Sequence, residues 1–179
     1  GNKPIAYYWT RVGTCSNPSC KAEVPLLKQF YLSFRNNKYI HLKPIINGNK
    51  IDFQVSEGKI DTPGFIQSRK SLVCPCCGSL TSSADLKQQF LKGQAKEKLL
   101  AVIENGPNGK SYRLPSKEEI EIVENINIDF ELPNELLATG NTKQFDLCGW
   151  GYTKFSQMFT DRQIYSIHHL TMALKNLSK

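Results

Sequence analysis

The sequence lacks any run of about 18 apolar residues, and with it any segment able to cross a bilayer as a helix. It has no basic start followed by an apolar stretch and a small-residue cleavage site, so no secretory leader is visible and a cytoplasmic protein is expected. Glycine-rich phosphate loops, the G-x-S-x-G elbow and the H-E-x-x-H pair are all missing, which removes the common nucleotide-binding and hydrolytic signatures. Internal repeats and low-complexity tracts are missing too. Cysteine is scarce: six in 179 residues cannot make a disulfide-dense scaffold. What remains is a globular composition, 40% hydrophobic and 22% charged, long enough for one ordinary domain or two small ones. Gly1 in place of an initiating Met reads as the start of a piece taken from a longer protein.

Charge is unevenly distributed. Residues 1–100 carry 15 Lys and Arg against 6 Asp and Glu, whereas residues 101–150 carry 4 against 9. A basic half with scattered aromatics suits a phosphate backbone, and it equally suits the solvated surface of a Lys-rich protein. The candidate nucleic-acid contacts are Arg11, Lys21, Lys28, Arg35, Lys38 and Lys43. Because strands expose alternate residues on one face, Arg35, Lys38 and Lys43 are expected to form a basic ribbon beside Lys21 and Lys28. The acidic segment Glu118–Asp146 is expected away from that ribbon or folded over it.

The cysteines carry the sharpest signal. Cys15 and Cys20 form a C-x4-C pair containing Asn17-Pro18, and Cys74 and Cys77 form a C-x2-C pair followed by Gly78. Two such pairs read as a four-cysteine zinc site, because Zn²⁺ takes four thiolates at tetrahedral corners and each tight turn supplies two of them. Pro18, Pro75 and Gly78 stand where the backbone must turn, and Gly78 is free to take the left-handed conformation. Cys76 competes for a place in the shell, but a C-x-C or adjacent pair makes a poorer knuckle. Cys148 stands alone and reads as a small buried apolar residue. The competing reading of the quartet is two disulfides or free thiols. A complete thiolate shell has no open position, so the expected zinc is structural and not catalytic.

The predicted fold is α+β: an expanded four-cysteine zinc ribbon with antiparallel β-hairpins, followed by short helices and a C-terminal helix. Ile5–Val12 approaches the first knuckle as a strand. Glu23–Glu57 reads as a meander in which Asn47-Gly48, between β-branched runs, signals a hairpin. Ser71–Val73 leads into the second knuckle. Ser82 or Ser83 caps a short helix presenting Leu86 and Phe90, Lys98–Glu104 is a strand, and Asn105–Gly109 forces a loop before Ser111–Leu114. Ser116 with Glu119, and Thr160 with Gln163, make capping boxes. The second opens a helix from Asp161 to about Leu177 with Ile164, Ile167, Thr171 and Leu174 along one stripe, and Phe159 and Ile164 are placed for a hydrophobic staple. The expected organisation is a zinc-ribbon and meander module over 1–80, an α/β extension over 81–128, a linker or surface strap over 129–148, and a helical segment over 149–179. His41, His168 and His169 read as packed or surface histidines, and Glu118, Glu119 and Glu121 as the solvated start of a helix. No catalytic residue is assigned.

Two stretches resemble a known family. Ala6-Tyr7-Tyr8-Trp9-Thr10-Arg11 leads to the Asn17-Pro18 knuckle and then Ala22-Glu23-Val24-Pro25-Leu26. After the Cys74-Pro75-Cys76-Cys77-Gly78 knuckle comes the run from Gly151 through Phe159-Thr160-Asp161-Arg162-Gln163. This order is similar to that of the adenine-specific DNA methylases that contain a zinc ribbon. Met158 and Asp161 depart from the Leu and Pro of that pattern, and Asp suits a helix's first turn as Pro does. The resemblance implies a parent protein that methylates DNA with S-adenosylmethionine. The cofactor loop and the Asn/Asp-Pro-Pro-Tyr motif that receives a flipped base are both missing from this chain. The chain is therefore expected to be an internal zinc-bearing module without a catalytic core. Two readings of its work stay open: contact with DNA or positioning of the target, and a structural module that packs against the rest of the methylase chain or another protein.

Overall fold

Asn47-Gly48 closes the hairpin that its flanking β-branched residues announce. β4 (Lys38–Asn47) and β5 (Lys50–Glu57) run antiparallel with Ile46 opposite Ile51 and Asn47 opposite Lys50. Gly48 sits at φ 60°, the positive value such a two-residue turn demands. β3 (Tyr31–Arg35) lies on the other side of β4, with Arg35 opposite Lys38, giving the order β3-β4-β5. The computed structural model describes residues 2–35, 37–67, 71–93, 96–107, 109–137 and 152–177.

The first part of the expected meander belongs elsewhere. β2 (Glu23–Pro25) pairs with the end of β1 (Lys3–Thr14), Val12 opposite Pro25 and Thr14 opposite Glu23, because the first knuckle turns the chain straight back on itself. On its other side β1 pairs with β8 (Lys96–Gly106), from Lys3 opposite Asn105 to Val12 opposite Lys96. β9 (Gly109–Arg113) completes the sheet β2-β1-β8-β9. The expected loop at Asn105–Gly109 is the turn between β8 and β9, where Gly106 stands opposite Gly109. Between these sheets the chain makes the short hairpin of β6 (Leu72–Val73) and β7 (Leu80–Thr81), which carries the second knuckle, and then α1 (Ser83–Leu91).

Ser82 caps α1: its hydroxyl accepts from the Asp85 N–H while the Asp85 carboxylate accepts from the Ser82 N–H. The cap aims Leu86 inward, where it is buried, and sets Phe90 beneath the Arg11 guanidinium, 5.8 Å from the ring centre. Gln89 grips the end of β1, donating to the Thr14 carbonyl and accepting from its N–H, both at 2.8 Å. The core gathers Val12, Val24, Leu27, Phe30, Leu42, Leu72, Leu86 and the continuous run Leu99–Val102. Four consecutive buried residues show that the middle of β8 is covered on both faces. Gly64 is obligatory, since a Cβ there would lie 2.3 Å from the Leu27 carbonyl oxygen.

The chain divides into two units at Pro115–Ser116; the sequence suggested boundaries after 80, 128 and 148. Residues 81–115 join the first unit because β8 and β9 extend the sheet that β1 begins. The second unit holds α2 (Lys117–Glu124), a single 3-10 turn at Phe155–Met158 and α3 (Asp161–Leu177). Ser116 and Glu119 form the expected capping box. At α3 only half of the expected box appears: Gln163 Oε1 accepts from Thr160 N–H at 3.0 Å, while the Gln163 N–H goes to the Thr160 carbonyl. The expected strap is tied by Leu136 bridging Lys154, with the Leu137 N–H donating to the Thr153 carbonyl. Its remainder, 138–148, lies outside the described residues, and Cys148 with it. The apolar stripe of α3 does not become a buried seam; no residue of that helix is buried. The architecture is thus α+β: antiparallel sheets, short helices, a C-terminal helix, and four cysteines clustered as in a zinc ribbon. Among the described residues no helix is long and apolar enough to cross a membrane.

Candidate metal centre

Asn17 organises the first knuckle. Its carbonyl accepts from the N–H groups of both Cys20 and Lys21 at 3.0 Å, and its side-chain oxygen accepts from the Ser19 N–H. Pro18 follows where no donor is needed. Lys21 takes a left-handed φ of 48°, which turns the chain so that the Cys15 N–H reaches the Ala22 carbonyl at 2.9 Å. The second knuckle repeats the plan with glycine in the left-handed place: Gly78 has φ 73°, its N–H donates to the Cys74 carbonyl at 2.8 Å, and the Cys74 N–H donates to the Ser79 carbonyl.

Polar contacts lock the two knuckles together. The hydroxyl of Thr81, fully buried on β7, accepts from the Ser16 N–H at 3.0 Å and donates to Ser16 Oγ. Asn17 donates through its side-chain amide to Ser79 Oγ at 3.3 Å. These contacts bridge more than 60 residues of sequence and bring the two thiol pairs to one place.

The structure brings together Cys15, Cys20, Cys74 and Cys77, whose Sγ atoms all lie within 4.8 Å of one another. Cys15 and Cys77 Sγ are 3.6 Å apart, and Cys20 and Cys74 Sγ 3.8 Å. A tetrahedron of thiolates at metal–sulfur distances of about 2.3 Å has edges of about 3.8 Å. The quartet can therefore hold a metal ion with little rearrangement. A disulfide needs sulfurs about 2.05 Å apart, and these two pairs are far from that distance. Cys76, the expected competitor, falls outside the group.

Electrostatics grade the thiols. The Ser79 side chain and N–H both donate to the Cys77 sulfur and pull its pKa down to about 6. Burial pushes the Cys15 thiol up to about 12, reinforced by the neighbouring cysteine sulfurs. Burial, with the charge of Cys74 beside it, pushes Cys76 up to about 11. The Ser79 donors thus favour the thiolate at Cys77, whereas metal binding at Cys15 must displace a proton that burial holds on the sulfur.

The candidate basic contacts do not form one ribbon. Lys38 and Lys43 are five residues apart on β4, an odd offset that sends them to opposite faces. Arg35 stands opposite Lys38 in the ladder, Lys21 and Lys28 are exposed in loops, and the Arg11 guanidinium lies over Phe90. The acidic segment from Glu118 belongs to the second unit. The histidines divide between packed and surface positions. His41 is buried with Nδ1 donating to the Gly58 carbonyl at 3.0 Å, His168 stacks on Phe130, and His169 tilts against Tyr165. Sequence reasoning missed Thr81 and Asn17 as supports of the site, and missed an aromatic cluster around Tyr31. Its only signal was a spacing of aromatics, which alternates clearly only once the β3–β4 register is known. No protein-family model, curated protein or solved structure matches the chain.

Proposed function

We propose that this chain is a structural-zinc module of a DNA-acting protein, with no catalytic centre of its own. The observation that carries the reading is the clustering of the four Sγ atoms of Cys15, Cys20, Cys74 and Cys77 within 4.8 Å of one another. Zn²⁺ is the ion suited to four thiolates on two tight turns, and a full shell has no position for a reacting water. The ion would link the start of the chain to residues 62 positions downstream, which is a folding role.

The larger setting rests on the resemblance to zinc-ribbon adenine-specific DNA methylases and on the basic first half of the chain. In that reading the module contacts DNA or positions the target in the cytoplasm, while the rest of the methylase chain binds S-adenosylmethionine and transfers the methyl group. The isolated chain then transfers no methyl group and binds no S-adenosylmethionine. A salt titration of duplex binding tests the DNA contact, because neutralised phosphates make affinity fall steeply with salt. Flat, salt-insensitive binding rejects it. A second reading, a scaffold packing against protein, is favoured by the uncovered apolar residues of α3, Leu170, Leu174 and Leu177.

A further inference from the structure

We propose that the outer face of the β3-β4-β5 sheet is a stacking platform for single-stranded DNA, an inference that rests on the DNA reading above and narrows it to unpaired bases. The register places the residues. Phe34 stands opposite Tyr39, Tyr31 opposite His41, His41 opposite Ser56, and Lys43 opposite Gln54, so these side chains share one face. The other face, with Ile40, Leu42 and Phe53, is in the core, whereas this one is exposed at Phe34 and Lys43, half-buried at Tyr31 and Tyr39 and buried at His41.

On the outer face the rings form a connected group. Tyr31 lies with ring centres 6.2 Å from Phe34, 6.0 Å from Tyr39 and 6.2 Å from His41. Tyr31 is fixed from below, its hydroxyl accepting from the Ile60 N–H at 2.8 Å and donating to the Ile60 carbonyl. That anchor brings Lys59 over Tyr39, with Nζ 5.3 Å from the ring centre. Phe34 caps the group and is 65% exposed, so the cluster presents an aromatic face to solvent. An exposed ring on a rigid aromatic base offers a flat apolar surface of the size of a nucleobase.

Charge complementarity selects the occupant. Residues 31–60 hold five Lys and Arg against two acids, Asp52 and Glu57. Asp52 pairs with Ile45 toward the far end of the face, and Glu57 pairs with Ile40, whose side points to the core. Lys43 and Lys59 therefore flank the rings as cations. Aromatic rings bordered by lysines suit a strand whose bases are unpaired and whose phosphates run alongside. A duplex keeps its bases stacked and offers such rings nothing. A second copy presenting this same face would set lysines against lysines, whereas phosphates supply the counter-charge at regular spacing along a strand.

The test uses the full chain with zinc bound, measuring anisotropy of a labelled oligothymidylate, the matching oligouridylate and a duplex. Phe34→Ala and Tyr39→Ala should each weaken oligothymidylate binding by about fivefold or more, the range base stacking supplies. Duplex affinity and zinc content should stay unchanged. Phe34→Leu keeps apolar area but no ring and should behave as Phe34→Ala does. Lys43→Ala and Lys59→Ala should each flatten the salt slope by about 0.7. If duplex binds and oligothymidylate does not, or the ring variants leave its affinity intact, this inference fails and the DNA reading stands. If neither DNA binds, the DNA reading itself fails. Tighter binding of the oligouridylate, or concentration-dependent dimerisation lost in Phe34→Ala, overturns the choice of occupant.

Discussion

The two units of the chain are built on different terms. Every buried hydrophobic side chain among the described residues lies between Val12 and Val102, in the first unit. The second unit has well-capped helices, yet neither α2 nor α3 buries a residue. Local signals are therefore enough to write a helix, but burial decides which helices hold a fold together. The first unit has weaker local signals, short strands and irregular knuckles, and gains its order from long-range pairing and from the thiol cluster.

Breaking the thiol cluster should sharpen this contrast most. Cys15→Ser, or chelation of the wild-type protein, should unfold the first unit outright, because structural zinc contributes about 10–16 kcal/mol in small metal domains and whole-domain stability is about 5–15 kcal/mol. Helical circular dichroism from α3 should survive, while near-ultraviolet signals from the first unit should vanish. Cys148→Ser should leave zinc content unchanged.

A smaller effect separates the cores. Leu86→Ala in α1 should cost about 2–5 kcal/mol in urea unfolding, the range for a buried leucine. Leu174→Ala in α3, at a position 58% exposed, should shift the transition by less than about 0.5 kcal/mol. Equal costs would mean that α3 is buried in solution.

Much of this arrangement was legible in the sequence, and the rest was not for a physical reason. The Asn47-Gly48 turn, the Ser82 and Ser116 caps and the two knuckles are local, each fixed by residues within a few positions. The Asp161 start and the Leu177 end of α3 were legible for the same reason. The pairing of β1 with β8 is not local: Lys3 meets Asn105 across the whole first unit, and neither strand's composition names its partner. The transfer of β2 from the meander to β1, and the loss of the Lys38–Lys43 ribbon, follow from register, which composition does not encode. The cysteine quartet stood out because two thiols on each tight turn are recognisable before their partners are known.

Thr81 probes the support beneath that quartet. Thr81→Val keeps the shape but leaves the Ser16 N–H without its acceptor, at a cost of about 1–3 kcal/mol in chemical denaturation. Zinc content should remain, with weaker retention under chelator competition. Acidity should act in the same direction and more gently at first. Metal binding requires thiolates, and Cys15 holds its proton up to about 12. Affinity should rise with pH between about 6, the Cys77 value, and about 12, the Cys15 value, as protons compete for the sulfurs. A pH-independent zinc affinity over that window would contradict thiolate ligation.

The most direct test is zinc-edge X-ray absorption on protein purified without added metal, paired with elemental analysis. One zinc per chain, surrounded by four sulfurs at about 2.3 Å and no oxygen or nitrogen neighbour, is the predicted result. A zinc-free protein with Cys15, Cys20, Cys74 and Cys77 in disulfides, or a shell completed by a light atom, would contradict it.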